Sequence, residues 1–124
     1  MADPCIIGWA HGKFGKSAAA GTEELMAEVV APALDHAGVT PGEVDGIFVG
    51  CYNNGFQHQD FQGALVAMGT PGLEYVPAMR TENACATGSA ALYSAMDLSN
   101  EMSGARKLPS GSGVPRSGSM GSIR

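Results

Sequence analysis

Apolar residues come in short runs along this chain, and their spacing changes from one stretch to the next. Cys5-Ile6-Ile7-Gly8-Trp9 is a compact apolar run around a glycine and reads as a strand buried on both faces. His11 to Gly21, rich in Gly, Ser, Ala and Lys, reads as a loop. Thr22 can then accept a hydrogen bond from the free N–H groups opening a helix, and Glu23 and Glu24 suit its positive end. Leu25, Val29, Ala33 and Ala37 recur every fourth residue along one face of that helix. Pro32 removes one helical hydrogen bond and predicts a bend, and Gly38 supplies the left-handed stop.

Thr40-Pro41-Gly42-Glu43 has the Thr-x-x-Glu capping spacing with proline first, which predicts a single helical turn. Gly46 to Gly50 reads as a second buried strand, Cys51 to Gln59 as a loop around Asn53-Asn54-Gly55, and Phe61 to Met68 as a short helix with Leu65 and Met68 near one face. Thr70-Pro71-Gly72 turns the chain into a third strand over Glu74 to Arg80, where Pro77 suits an edge or end. Ala84 to Leu98 reads as a helix packed through Leu92, Ala95 and Met96. Strand, helix, strand, helix, strand, helix is the order of an α/β layered fold with neighbouring parallel strands.

Composition then divides the chain. Residues 1–97 carry a net charge of −8, whereas 98–124 carry +3 and are half Ser, Gly and Pro. We read 1–100 as the folded part and 101–124 as a low-complexity, disordered C-terminal tail. The overall charge of −5 disfavours nucleic acid as a partner, and the tail's cations are too sparse to reverse that. Apolar runs fall far short of the ~18 residues a membrane span needs, and no charged segment leads into an apolar stretch, so no membrane partner is expected and the cytoplasm is the expected compartment. Three cysteines without C-x-x-C spacing fit neither a disulfide scaffold nor a metal site.

Cys85 stands out by position. It lies between a strand end and the first turn of a helix of small residues, where free backbone N–H groups and the helix dipole favour thiolate over thiol. A thiolate is a nucleophile, and the same N–H groups can stabilise an oxyanion on an attacked carbonyl. Gly88 and the neighbouring alanines would let the helix pack tightly and a substrate approach. By spacing alone, a small buried cysteine remains the alternative.

The segment Asn83-Ala84-Cys85-Ala86-Thr87-Gly88-Ser89-Ala90-Ala91-Leu92 resembles the nucleophile motif of the thiolase superfamily, in the branch of sterol carrier protein-type thiolases and bacterial acetyl-CoA acetyltransferases. Ile6-Ile7-Gly8 with Lys13-Phe14-Gly15-Lys16 resembles that family's opening strand and Phe-Gly turn. Ala37-Gly38-Val39 with Val44-Asp45-Gly46-Ile47 resembles its first helix exit and second strand entry. The resemblance runs from Ile6 to about Asp97 and implies the first β-α-β-α-β-α part of a thiolase N-terminal half, an incomplete layered fold. It implies acyl transfer between coenzyme A thioesters through an acyl-cysteine, with Cys85 as the catalytic residue, acyl-CoA as substrate, no further cofactor, no metal, and a homodimer with contacts around Tyr75–Arg80.

The same family needs a histidine from a Gly-His-Pro segment, a second cysteine in Cys-x-Gly, and an Asn-Glu-x-Phe segment, and none of these occurs here. His36 reads as a solvent-facing helix residue, His11 and His58 as loop residues, and Cys5 and Cys51 as buried structural thiols. The chain alone is therefore expected to be inactive or nearly so. From Arg106 the sequence leaves the family's Val-Val-Gly strand, and a two-base shift of frame through Pro109 to Gly113 can restore Val-Gly-Val-Gly, so a frameshift near Arg106 is the expected cause. Open strand edges and uncovered apolar faces are expected to follow, and with them marginal stability. A β-ketoacyl synthase-like condensing enzyme and a non-catalytic thiolase-like partner subunit are the alternatives; Thr87-Gly88 favours thiolase over the first.

Overall fold

The computed structural model describes residues 3–53, 58 and 61–105. Helix α1 spans Thr22–Ala37, and a 3₁₀ turn covers Pro41–Glu43. Strand β1 (Ile47–Gly50), helix α2 (Gln62–Gly69) and strand β2 (Ala78–Thr81) follow. A second 3₁₀ turn at Ala84–Ala86 leads into helix α3, Thr87–Ala105. The strands pair in parallel, Ile47 with Ala78 through Gly50 with Thr81, so both end together. Helix α2 lies between α1 and the strands, and α3 packs against both strands, giving an α/β layering.

Local sequence explains these bounds. Gly21 is the N-cap of α1 and Thr22 its first helical residue, while the Glu24 carboxylate accepts the Ala20 N–H at 2.6 Å. The helix continues across Pro32 and stops at Gly38, whose φ of 65° turns the chain so that the following Val39 N–H reaches the Leu34 carbonyl. At the Pro41–Glu43 turn, the Glu43 carboxylate accepts both the Thr40 N–H (2.8 Å) and the Thr40 hydroxyl (2.7 Å). Those bonds favour the ionised form and hold the Glu43 carboxyl below its ordinary range. Backbone hydrogen bonds do the same for Glu74.

The core gathers around α2, where Gln62, Gly63, Leu65, Val66 and Ala67 are buried, together with Thr70 and Leu73 beyond it. Met68, expected beside Leu65, is instead 67% exposed, because α2 is held between α1 and the strands and Met68 projects outside that sandwich. Gly63 permits the close contact: a methyl there would lie 3.0 Å from the backbone of Met79 and Arg80.

Three further expectations need correction. Residues 5–9 form no strand; Ile6, Ile7 and Trp9 are 74%, 63% and 67% exposed, and Cys5 is exposed as well. The sheet of described residues has two strands, so this run has no ladder to join and lies against α1 instead. A methyl on Gly8 would approach the Ala37 Cβ to 2.6 Å and the Ala33 carbonyl to 2.8 Å. Next, β2 begins at Ala78 and not at Glu74, because the N–H groups of Leu73 and Val76 are taken by turn carbonyls of Thr70 and Leu73. The Pro77 carbonyl then opens the ladder by accepting the Ile47 N–H. Finally, α3 runs seven residues past Leu98 to Ala105, and of the residues expected to pack it Leu92 and Ala95 are exposed while Met96 is partly covered. Residues 54–57, 59, 60 and 106–124, with the Asn54-Gly55 turn and the expected frame change, lie outside the described residues. No described helix is long and apolar enough to cross a membrane.

Candidate active site

The parallel register brings Gly50 and Thr81 to the same end of the sheet, and the chain leaving Thr81 carries Cys85 there. Open α/β sheets present ligand sites at the carboxyl ends of their strands. Cys85 is exposed, in the middle of the Ala84–Ala86 turn that abuts α3. It forms no disulfide. Cys85 is thus not the small buried cysteine that spacing alone left as the alternative.

The residue before it has an unusual backbone. Ala84 has φ = 43°, the one non-glycine residue with positive φ among those described. An L-residue in that left-handed region costs about 1–2 kcal/mol. Its neighbours hold both of its backbone polar groups. The Ala84 N–H donates to Glu82 Oε1 at 2.6 Å, and the Ala84 carbonyl accepts the Thr87 hydroxyl at 2.8 Å. Thr87 Oγ1 in turn accepts the Asn83 N–H at 2.8 Å, and the Thr87 N–H bonds back to the Ala84 carbonyl. At about 0.5–1.5 kcal/mol each, these bonds are sufficient to offset the strain. Thr87 is buried at 7% exposure, held by the end of β1; a methyl on Gly50 would lie 3.0 Å from its carbonyl oxygen.

Gly88 is different from expectation. A methyl there would meet nothing within 4 Å, so this glycine leaves open space beside Cys85 and does not mediate packing. The close approaches are at Gly50 and Gly63 instead.

The histidines are placed elsewhere. His36 is exposed but engaged: its Nδ1 lies 3.1 Å from both the backbone N and the backbone O of Trp9, accepting from the first or donating to the second according to its tautomer, and its ring meets the Trp9 indole edge-on with centroids 6.3 Å apart. His11 tilts against Phe14 at 5.1 Å. His58 is exposed. Cys51 is half-buried just past β1, its carbonyl accepting the Arg80 Nε–H at 3.1 Å. No group of three or more His, Cys, Asp and Glu that could hold a metal occurs among the described residues. Two adjoining cavities, of about 280 and 200 Å³, share Gly46, Phe48 and Leu98 and therefore sit at the opposite end of β1 from Cys85.

A family profile described as thiolase, N-terminal domain, matches residues 5–103. The chain belongs to the thiolase family. The acetyl-CoA acetyltransferase of Methanocaldococcus jannaschii is 35% identical over 97 residues, which cover 77% of this chain and 24% of that protein. That of Methanothermobacter thermautotrophicus is 34% identical over 95 residues, 76% of this chain and 24% of that protein. The chain thus spans about a quarter of the length of the curated relatives it matches. The thiolase match contains the whole described site, from the N-terminal run against α1 to the first turns of α3.

Sequence reasoning missed the left-handed Ala84, because alanine carries no signal for positive φ. The Thr87 hydroxyl could have been found: a threonine in the first turn of a helix can fold its hydroxyl back onto a nearby backbone group, here the Asn83 N–H four residues before it.

Proposed function

We propose that this chain provides the nucleophile of a thiolase-type acyltransferase, with Cys85 accepting the acyl group of an acyl-CoA. One observation carries the reading: within a thiolase N-terminal domain, an exposed cysteine stands at the carboxyl end of the parallel strands and the head of a long helix. The Cys85 sulfur attacks the thioester carbonyl carbon, the bond from that carbon to the coenzyme A sulfur breaks, and the thiol proton of Cys85 passes to the departing coenzyme A. The N–H groups of Ala84, Ala86 and Thr87 are bonded to Glu82 Oε1 and to the carbonyls of Asn83 and Ala84, so these three are not the free donors that the sequence led us to expect for an oxyanion. The exposure of Cys85 and the open space beside Gly88 support the approach of an extended thioester.

Carbon–carbon bond formation or thiolysis needs further acid–base groups. No Gly-His-Pro, Cys-x-Gly or Asn-Glu-x-Phe segment is present in the 124 residues. In this reading the 124-residue chain accepts an acyl group but does not turn over, and a second copy joins through the Tyr75–Arg80 segment. Tyr75 is 99% exposed and Met79 58%, which supports that interface. Transfer of radiolabel from acyl-CoA to protein, abolished by Cys85→Ser, tests the nucleophile; label that persists in Cys85→Ser contradicts it.

A further inference from the structure

We propose that Thr87 and Glu82 are positioning residues that aim Cys85 by clamping the left-handed peptide immediately before it. The inference rests on the reading of Cys85 as nucleophile and adds how its direction is set. The two side chains hold opposite ends of one residue. Glu82 Oε1 accepts the Ala84 N–H, and the Thr87 hydroxyl donates to the Ala84 carbonyl while accepting the Asn83 N–H. The carbonyl held by Thr87 belongs to the peptide unit joining Ala84 to Cys85, so fixing that oxygen fixes the plane from which the Cys85 side chain departs.

A left-handed alanine persists only where its surroundings over-determine it. Here the φ of 43° is held from both sides, and freeing either side lets the turn relax towards ordinary backbone and swing the thiol away from the head of α3. Thr87 is suited to this because it is itself fixed: it is buried, and its Cγ2 would lie 3.1 Å from a methyl on Gly50 at the end of β1. Glu82 is exposed and reaches the clamp from the solvent side. The clamp therefore ties the orientation of Cys85 to β1 through Thr87, and a substitution at either side chain acts on a sulfur it does not touch.

The test measures the rate at which iodoacetamide alkylates Cys85 at neutral pH, resolved by peptide mass spectrometry with exposed Cys5 as the internal reference, alongside acetyl transfer from acetyl-CoA. Thr87→Val keeps the shape and removes the hydroxyl, and should slow Cys85 relative to Cys5 by about tenfold. Thr87→Ser restores the hydroxyl and should return the ratio to within about twofold. Glu82→Gln keeps an acceptor oxygen and Glu82→Ala removes it, so Ala should be the slower of the two, although both lose the same charge.

Equal ratios in wild type, Thr87→Val and Glu82→Ala overturn the clamp, as does Thr87→Ser behaving like Thr87→Val. If Thr87→Val loses its circular dichroism signal, the exposed Glu82 pair decides the question. Slowed alkylation rescued by serine, with no acetyl transfer even in wild type, leaves the clamp standing and refutes the nucleophile reading. Acetyl transfer in wild type that is undiminished in folded Thr87→Val and Glu82→Ala does the reverse.

Discussion

Ala84→Gly should make this protein more stable, although it removes atoms and adds backbone freedom. Ala84 is exposed, so deleting its methyl group forfeits little buried surface. Its φ of 43° is a conformation that costs an L-residue about 1–2 kcal/mol and costs glycine almost nothing. Against this, glycine widens the unfolded ensemble, worth about 0.4–1 kcal/mol. The difference leaves a net gain of about 0.5–1 kcal/mol. For a domain of roughly 100 residues, that corresponds to a rise in Tm of about 2–8 °C. Thermal unfolding followed by circular dichroism, checked by the urea midpoint, measures it. A Tm that is unchanged or lower in Ala84→Gly refutes the idea that strain is stored next to Cys85.

Other substitutions report on the frame that carries the site. Gly63→Ala forces a methyl against the backbone of β2 at 3.0 Å and should destabilise by about 1–3 kcal/mol in urea titrations; a neutral result would mean that α2 and β2 are not in the contact described. Glu43 binds its proton more weakly in the folded chain than in the unfolded one, so its contribution is complete above the unfolded value and fades as pH falls through the folded one. Urea midpoints of wild type and Glu43→Gln should accordingly differ at neutral pH and converge in acid, and a constant gap would contradict the capping geometry. His36→Ala frees the N-terminal run from α1, which should raise acrylamide quenching of the single tryptophan, Trp9; unchanged quenching would show that His36 does not hold it.

How much the sequence revealed depended on whether the information was local. Gly38 and the Thr40–Glu43 turn were legible because capping chemistry acts within a few residues. The parallel pairing of β1 and β2 followed from the alternation of strand and helix. Residues 5–9 misled because apolar periodicity reports what a segment would do beside a partner, and the described sheet offers none at that position. Met68 misled for a related reason: α2 is buried by neighbours on two sides, and an eight-residue helix carries too few turns to show which residues escape them. At the site, the position of Cys85 was legible from the strand-to-helix change and from its motif. The strain at Ala84 was not, because it arises from three side-chain and backbone hydrogen bonds that only the folded turn brings together.

The central claim is that one of three free thiols is set apart by where it sits. Peptide-resolved mass spectrometry after incubation with acetyl-CoA, following Cys5, Cys51 and Cys85 in the same sample, tests this directly. Cys5 and Cys85 are both exposed, so solvent access alone would acetylate them alike. Acetylation concentrated at Cys85, approaching one group per chain while Cys5 lags by at least about tenfold, is the predicted result. Equal labelling of Cys5 and Cys85, or none at Cys85, would contradict it.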